Sequence, residues 1–530
     1  MSKRTDWRSV GLGAIAGVLA AGAALGAGQF VAGLTGASGS PVVAVGELQI
    51  DFTPAWLKNF AINEFGSDDK LVLVGGILVV LAIFAAVIGA AATRRIAYGV
   101  AGLAAFAVVG LTAAATRPTA TFASLLPTLA ATAAAAAVLL VLIPMVKPPA
   151  SATPRRVSYD PVTADATEPE EAEPAGPPRR NFLAAGAATA GLAAGAGLVG
   201  RALTERNSVA GAQRSLRIPR PAVATQPLPS GVNLNIPGLS PFITPNGSFY
   251  RVDTAIVLPQ VSPSSWQLRI HGMVERELTL TFDELLRRPL IEDYITVCCV
   301  SDPVGGPYIG NAKWLGASLA AVLRETGIKA GADQLLCTSV DGFTSGTPVQ
   351  TVMDGRDALL AVAMNGQPLP VAHGFPARMV VPGLYGYVSA TKWVTDINVT
   401  TFAGNYAFWA VRGWSQQAPI KTECRIDVPN GVNRVQAGTT AVAGVAWAQH
   451  KGIDAVQVRV DGGPWNEARL AAVPGIDSWR QWVWDWDATS GTHTLEARAT
   501  DKTGYTQTSL QAQPEPNGAS GYPSVSVTVS

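Results

Sequence analysis

Residues 294–302 read Tyr294-Ile295-Thr296-Val297-Cys298-Cys299-Val300-Ser301-Asp302, and Gly305-Gly306 follow closely. The apolar and β-branched run over residues 294–300 predicts a buried strand that ends in a glycine-rich turn. A thiol at the end of such a strand is held rigidly yet faces a loop-lined cavity. As a thiolate it is a soft ligand able to grip a high-valent metal. Side chains alternate along a strand, so Cys298 and Cys299 should face opposite ways and only one can reach such a centre. Taken alone the pattern is weak, because most buried cysteines are inert core residues. The chain has four cysteines in 530 residues, too few for a disulfide scaffold.

Downstream, His373-Gly374-Phe375-Pro376-Ala377-Arg378 precedes a short strand, and Val381-Pro382-Gly383-Leu384-Tyr385-Gly386 leads to Lys392-Trp393. A rigid Pro/Gly loop that carries His, Arg and Lys together suits a phosphate-bearing heterocycle: Arg binds phosphate as a fork, Lys binds it as a point charge, and Gly lets backbone amides come close. A plain turn with solvated cations fits the spacing equally well. Around these segments, strand and helix signals alternate. Trp266–Ile270 reads as a strand, and Thr281 with Glu284 forms a capping box that opens a helix. Ser318–Thr326 reads as a helix stopped by Gly327, and Leu359–Ala363 and Arg378–Val381 as buried strands. Residues 240–405 are therefore expected to form a mixed α+β domain. Over residues 415–530 the helical period vanishes. Ala455–Val460, Trp482–Trp486 and Thr492–Ala499 alternate apolar with polar between Gly-rich turns, which predicts a C-terminal immunoglobulin-like β-sandwich. Trp482, Trp484 and Trp486 should share one strand face, where core packing outweighs a binding platform.

Upstream the texture is different. Residues 9–33, 71–92, 96–116 and 124–146 are nearly uncharged runs long enough to cross a hydrocarbon layer of about 30 Å. We expect an N-terminal all-α transmembrane region of four spans over residues 1–147, a disordered cytoplasmic linker over 148–178, and a fifth segment over 179–205. Lys3, Arg4, Arg8, Arg94, Arg95, Lys147, Arg155, Arg156, Arg179 and Arg180 all fall on one side, which the positive-inside rule makes cytoplasmic. Five crossings then place everything after about residue 205 outside the inner (plasma) membrane. Arg179-Arg180-Asn181-Phe182-Leu183 resembles a twin-arginine export signal, here internal; the alternative is that these arginines only enforce orientation. Thr53-Pro54, with Phe52, Trp56 and Phe60 at helical spacing, suggests a further helix lying in the membrane interface.

Composition narrows the function. Charged residues make up 15%, the mean hydropathy is +0.24 and the net charge is +1. A disordered or purely cytosolic chain is excluded, and no general field exists for gathering nucleic acid. No zinc spacing, dinucleotide fingerprint or phosphate loop occurs. Only His271, His373, His450 and His493 exist, and none lies in an apolar run, so a haem held by paired histidines within the membrane is excluded.

Taken together, the segments after residue 245 resemble the sulfite oxidase family of molybdopterin-dependent oxidoreductases. The match rests on Cys299-Val300-Ser301-Asp302, Gly310-Asn311-Ala312-Lys313-Trp314-Leu315-Gly316, Met364-Asn365-Gly366-Gln367-Pro368-Leu369-Pro370, His373–Arg378 and Lys392-Trp393. The membrane front looks like an anchored bacterial, actinobacterial-type branch. The resemblance implies an α+β molybdopterin-binding domain of sulfite oxidase type, a molybdenum cofactor with a pterin dithiolene and no haem, and a C-terminal dimerisation domain that could pair the chain as a homodimer. It makes Cys299 the thiolate ligand of molybdenum, because Val-Ser-Asp follows it. Asp341, His373, Arg378 and Lys392 match pterin or phosphate contacts, with Ser389 and Thr391 placed less securely. Arg251 matches an arginine near the metal and the substrate anion.

Three departures bear on the substrate. The family's Arg-Asn-His is here Arg251-Val252-Asp253, Asp302 is followed by Pro303 where an arginine is expected, and Trp414 stands at or near the place of a tyrosine beside the metal. Fewer cations imply weaker attraction for a dianion. The resemblance implies oxygen-atom transfer to or from a small sulfur compound, sulfite first, with electrons exchanged with an external haem protein or quinone-linked partner. Reduction of methionine sulfoxide is the first alternative and a non-catalytic membrane-tethered binding module the second.

Overall fold

The structure is a computed structural model that describes residues 7–35, 41–53, 69–117, 120–146, 179–206, 208–431 and 434–530. The chain divides into two compact units, Met1–Ser208 and Val209–Ser530.

The first unit is helical: α1 (Trp7–Thr35), α2 (Pro41–Phe52), α3 (Asp69–Arg94), α4 (Ile96–Ala115), α5 (Phe122–Val146) and α6 (Arg179–Arg206). Five of its helices are long and apolar enough to cross a membrane, and they coincide with the five runs read from the sequence. Side chains such as Val79, Ile83, Phe84 and Val87 of α3 stay exposed, as a lipid-facing surface requires. Helix α1 packs against α3, α5 and α6. Its contact with α3 depends on Gly17, where an added Cβ would collide with the Ala85 carbonyl; close backbone approach through small residues is how apolar helices associate without a hydrophobic drive.

The helix expected from Thr53-Pro54 onward falls outside the described residues. The loop after α1 instead contains α2, which the sequence reading did not anticipate; just past the end of α2, Thr53 Oγ1 donates to the Gln49 carbonyl at 2.7 Å. Pro41 begins that helix, and proline at a first helical position spends no needed N–H. Residues 54–68, including Trp56 and Phe60, and the linker 148–178 lie outside the described residues.

In the second unit the strands are β1 (Gln267–Gly272), β2 (Leu278–Thr281), β3 (Leu290–Cys298), β4 (Ile309–Ser318), β5 (Gln334–Ser339), β6 (Thr344–Pro348), β7 (Leu359–Met364), β8 (Gln367–Pro368), β9 (Arg378–Val380) and β10 (Val394–Thr400). They form two sheets. One runs β2-β1-β10-β5-β6, with β1 and β10 parallel and the other neighbours antiparallel. The other is antiparallel, β3-β4-β7-β8, with β9 beside β7. The local signals are realised. Thr281 and Glu284 cap Phe282–Leu286 reciprocally, and Ser318 caps a helix over Leu319–Thr326 that Gly327 ends at φ +66°.

The remaining strands are β11 (Glu423–Val428), β12 (Gly438–Trp447), β13 (Ile453–Val460), β14 (Asn466–Glu467), β15 (Arg469–Leu470), β16 (Arg480–Ala488), β17 (Gly491–Asp501) and β18 (Ser524–Val529). They make two antiparallel four-stranded sheets, β11-β12-β16-β15 and β14-β13-β17-β18. Trp482, Trp486, Val442, Val456, Leu495 and Val527 share one core, with Trp484 packed against it, so the tryptophan face is interior.

Residues next to β16 also hold β3 in place. The Trp479 amide donates to Thr296 Oγ1 at 2.7 Å, that hydroxyl donates to Asn311 Oδ1 at 2.9 Å, and Ser478 Oγ donates to the Tyr294 carbonyl at 2.9 Å. These are buried polar groups with their partners supplied, which fixes the strand whose end carries the cysteine pair.

Candidate cofactor and active site

Strand β3 stops at Cys298, one residue short of the thiol singled out by sequence. Cys298 is fully buried within the core, and its Sγ lies 3.4 Å from the Cys299 carbonyl. Cys299 sits in the turn beyond and is half-buried, with its Sγ 2.9 Å from Ser301 Oγ. Burial pushes the Cys299 thiol up, while the Ser301 contact and the Lys392 cation pull the other way. The turn itself is tied down by Asp302, whose Oδ1 accepts the Tyr308 amide at 2.8 Å, and by Arg425, which donates to the Gly306 carbonyl at 2.8 Å.

A second wall comes from residues 371–393. Val371–His373 is a single 3-10 turn that ends at Gly374, whose φ of +107° suits glycine. A Cβ there would also press on Arg378 and Lys392, so glycine lets the three charged or polar side chains converge. His373 is buried, with Nε2 3.3 Å from the Asn246 carbonyl. Its own burial, then the Arg378 and Lys392 cations, pull its pKa down to about 4, so it is neutral at pH 7. Arg378 is buried against the Trp314 ring, 5.0 Å from the centroid, and donates to the carbonyls of His373, Met379 and Ala390. Burial lowers its pKa to about 10. Lys392 Nζ reaches Asp253 Oδ2 at 2.6 Å and the Ala372 carbonyl at 3.4 Å. Burial takes Lys392 down to about 8, with Asp253 opposing the fall. Trp393 follows at φ +49°, an unusual value for a bulky residue, and its indole donates to the Val371 carbonyl at 3.1 Å.

The third wall is the segment 246–255, positioned from a distance. Asn365 and Gly366, both at positive φ, make the tight turn between β7 and β8. Asn365 Nδ2 then donates to the Thr244 carbonyl at 2.9 Å and to Asn246 Oδ1 at 2.8 Å. Beyond that anchor, Phe249 packs edge-on to His373 and Trp314. Tyr250 lies near Tyr308, and burial, followed by the neighbouring Cys299, pushes its phenol well up. Arg251 pairs with Asp253 at 2.7 Å, so Asp253 bridges Arg251 and Lys392.

His373, Arg378, Lys392 and Arg251 are thus linked through one network of contacts, and the Lys392 charge reaches Cys299. Asp341 sits in the turn after β5, accepts the Phe343 amide at 3.2 Å, and is joined to the group through its neighbour Val340, whose amide donates to the Trp393 carbonyl at 3.0 Å. Ser389 and Thr391 are different. Both are essentially inaccessible; Ser389 Oγ donates to the Leu384 and Tyr385 carbonyls, and Thr391 Oγ1 is 2.6 Å from Ser345 Oγ. Their hydroxyls stabilise the loop and their carbonyls accept the Val381 and Met379 amides, so neither residue presents an accessible group to a ligand here, contrary to the sequence expectation. Trp414 packs against Tyr387 and Trp409 in an aromatic cluster. Sequence reasoning missed Tyr250 as a neighbour of Cys299 and Asp253 as a bridge. The first was one residue from Arg251; the second needed a pairing across 139 residues.

The donor set fits a molybdenum pterin: one half-buried soft thiol, then buried Arg and Lys and a neutral His for a phosphate-bearing ring. Among the described residues no group of three His, Cys, Asp or Glu could hold a metal by itself, so the remaining ligands would belong to the cofactor.

Comparisons with known proteins agree. The oxidoreductase molybdopterin binding domain matches residues 255–409, so this part of the chain is a molybdopterin-binding oxidoreductase domain. An uncharacterized oxidoreductase, YuiH, of Bacillus subtilis (strain 168) is 30% identical over 151 residues, covering 28% of this chain and 73% of that protein. Mitochondrial sulfite oxidase of Rattus norvegicus is 28% identical over 290 residues, 46% of this chain and 52% of that protein. The sulfane dehydrogenase SoxCD from Paracoccus pantotrophus, a solved structure, is 25% identical with a TM-score of 0.48, covering 54% of this chain and 83% of that one. The chain belongs to the sulfite oxidase family. It spans about half the length of the rat, mouse and human sulfite oxidases that it matches.

One buried acid near the site makes stability depend on pH. Glu423 opens β11, is 7% exposed, and has no hydrogen-bond partner for Oε1. Burial, with the Asp302 carboxylate adding to it, pushes Glu423 up to about 8, and Lys421 opposes. A carboxyl that holds its proton more tightly when folded adds stability below its ordinary range, and that stability is lost as pH rises through about 8. Asp302, pushed up to about 7 by burial, acts in the same direction. The melting temperature should therefore fall as pH rises from about 5 to about 9, and more gently in Glu423→Gln. Equal slopes for the two proteins would show that Glu423 is not a source.

Proposed function

We propose that the protein is a membrane-anchored molybdenum oxotransferase of the bacterial branch, working outside the inner membrane on a small sulfur compound, with sulfite as the first candidate substrate. The observation that carries this reading is the half-buried Cys299 thiol just beyond the end of a pinned strand, within reach of the Lys392 charge, with Lys392 in turn beside buried Arg378 and neutral His373. When bound, the molybdenum pterin supplies the two-electron couple and the site of oxygen-atom exchange. Cys299 would hold the metal; Asp341, His373, Arg378 and Lys392 would hold the pterin and its phosphate, with Ser389 and Thr391 bracing the loop; Arg251 would orient substrate oxygens. Sulfite plus water gives sulfate, two protons and two electrons, and the electrons leave for an external haem protein or quinone-linked carrier. The apolar helices anchor, a twin-arginine-type signal at Arg179-Arg180 directs export, and the two C-terminal sheets form an immunoglobulin-like domain (residues 415–530) that pairs the chain as a homodimer beside the cofactor domain (240–405).

A second reading, sulfoxide reduction, is favoured by the Asp253 carboxylate set against Arg251 and Lys392. Purified, molybdenum-loaded protein should oxidise sulfite with ferricyanide. Activity only with methionine sulfoxide and reduced viologen would move the assignment to the reductive reaction, and activity in neither assay would refute the oxotransferase proposal.

A further inference from the structure

The Cys299 thiol lies outside any sheet. Strand β3 ends at Cys298, so the direction of the Cys299 sulfur is set by the turn that follows. That turn closes on itself. The Cys299 amide donates to the Tyr308 carbonyl at 2.9 Å, the Asp302 amide to the Cys299 carbonyl at 3.2 Å, and the Tyr308 amide to Asp302 Oδ1 at 2.8 Å. Gly306 sits at the bend, where a Cβ would collide with Asp302 Oδ1 and the Pro303 carbonyl. A loop held only by its own bonds can still open or pivot as a unit at little cost, so what fixes it must come from elsewhere.

It comes from the C-terminal sheets. Arg425, in β11, donates from Nη1 to the Gly306 carbonyl at 2.8 Å, from Nη2 to Ser240 Oγ at 2.9 Å and from Nε to Asp427 Oδ1 at 2.6 Å. Asp427 Oδ2 in turn accepts the Ser240 amide at 3.0 Å. The Arg425 side chain is 12% exposed and that of Asp427 8%, so water competes little for these bonds. A planar guanidinium with all three nitrogens engaged fixes its acceptors in angle as well as in distance. The strand before the cysteines is gripped from the same part of the chain: the Asp477 carbonyl accepts the Thr296 amide at 2.9 Å, and Gln449 Nε2 donates to the Thr296 carbonyl at 3.1 Å. Cys299 therefore hangs between two attachments, at Thr296 and at Gly306, both supplied by residues after 420.

We propose that Arg425 is a positioning residue for the metal ligand: by anchoring the Gly306 carbonyl it fixes the direction in which Cys299 presents its sulfur, and the C-terminal sheets thereby complete the site instead of only flanking it. The role of the sulfur as ligand rests on the oxotransferase reading above; the restraint on the thiol does not.

The test uses the full-length chain as wild type, Arg425→Met, Arg425→Lys and Ser240→Ala, with Arg459→Met as a control that removes an arginine paired with Glu496 elsewhere in the C-terminal sheets. In the cofactor-free protein, iodoacetamide labelling of Cys299 is followed by mass spectrometry, with buried Cys298 as the internal reference. Cys299 should label about tenfold or more faster in Arg425→Met, at an intermediate rate in Arg425→Lys, which keeps one donor for the Gly306 carbonyl, and within about twofold of wild type in the control. Ser240→Ala removes one acceptor of Arg425 and should raise the rate about threefold; it decides the matter if Arg425→Met does not fold. In the molybdenum-loaded protein, kcat for sulfite with ferricyanide should fall about tenfold or more in Arg425→Met while KM stays within about twofold, the split expected when a ligand is misaligned and substrate contacts are kept. Wild-type labelling of Cys299 in the Arg425 and Ser240 variants, or an equal rise at Cys298 that marks general loosening, would overturn the proposal. If wild type turns over no sulfur substrate, the oxotransferase reading fails, and the labelling rates still decide the role of Arg425.

Discussion

Cys299→Ser is expected to abolish turnover, by about a thousandfold or more, while the folded protein keeps its pterin. The exchange replaces one sulfur by oxygen in a half-buried turn, so strand β3 and its anchors at Thr296 and Tyr294 are untouched. What changes is the ligand: a hydroxyl is far less acidic than a thiol and is too hard a donor for this role. Cys298→Ser is the control. It places a hydroxyl in a fully buried core position and should cost about 1–3 kcal/mol of stability, with the specific activity of folded protein retained. Measuring turnover per bound pterin separates the two effects, and a fully active Cys299→Ser would refute the ligand assignment.

Arg378→Met should empty the site, with pterin content falling to about a tenth of wild type or less, since charge-assisted contacts to phosphate are among the strongest available. The guanidinium lies against Trp314 and holds three backbone carbonyls of the surrounding loop, so its removal takes away a charge and loosens the loop together. Arg378→Lys should restore little, because an ammonium cannot reproduce a planar fork that spans several acceptors. Pterin released and oxidised to its fluorescent form, counted alongside molybdenum, gives the measurement. Wild-type cofactor content in Arg378→Met would show that this residue serves the loop alone.

Much of the architecture was legible because its causes are local. Uncharged runs of span length became α1, α3, α4, α5 and α6, since the hydrocarbon thickness dictates length and composition directly. Thr281 with Glu284, and Ser318 with Gly327, marked helix ends because the capping atoms lie within a few residues of one another. Helix α2 was not anticipated, because its run Pro41–Phe52 is short and mildly apolar, and a threonine beyond it whose hydroxyl returns to a carbonyl four residues back leaves no mark in the sequence distinct from a helix start. The site was legible only where a motif carried it. Cys299, His373, Arg378 and Lys392 stand in recognisable stretches, and the structure joins them through loops. The Asp253 bridge to Lys392 and the approach of Tyr250 to Cys299 depend on how segment 246–255 is hung from Asn365, and no periodicity or spacing encodes that. Ser389 and Thr391 show the converse, residues of the right type in the right stretch whose hydroxyls are turned inward.

The most direct test of the account is X-ray absorption at the molybdenum edge, on the purified full-length chain and on Cys299→Ser. The account predicts bound molybdenum with one fewer sulfur neighbour in the serine variant than in wild type. Identical sulfur shells in the two proteins, or no molybdenum in properly matured wild type, would contradict it.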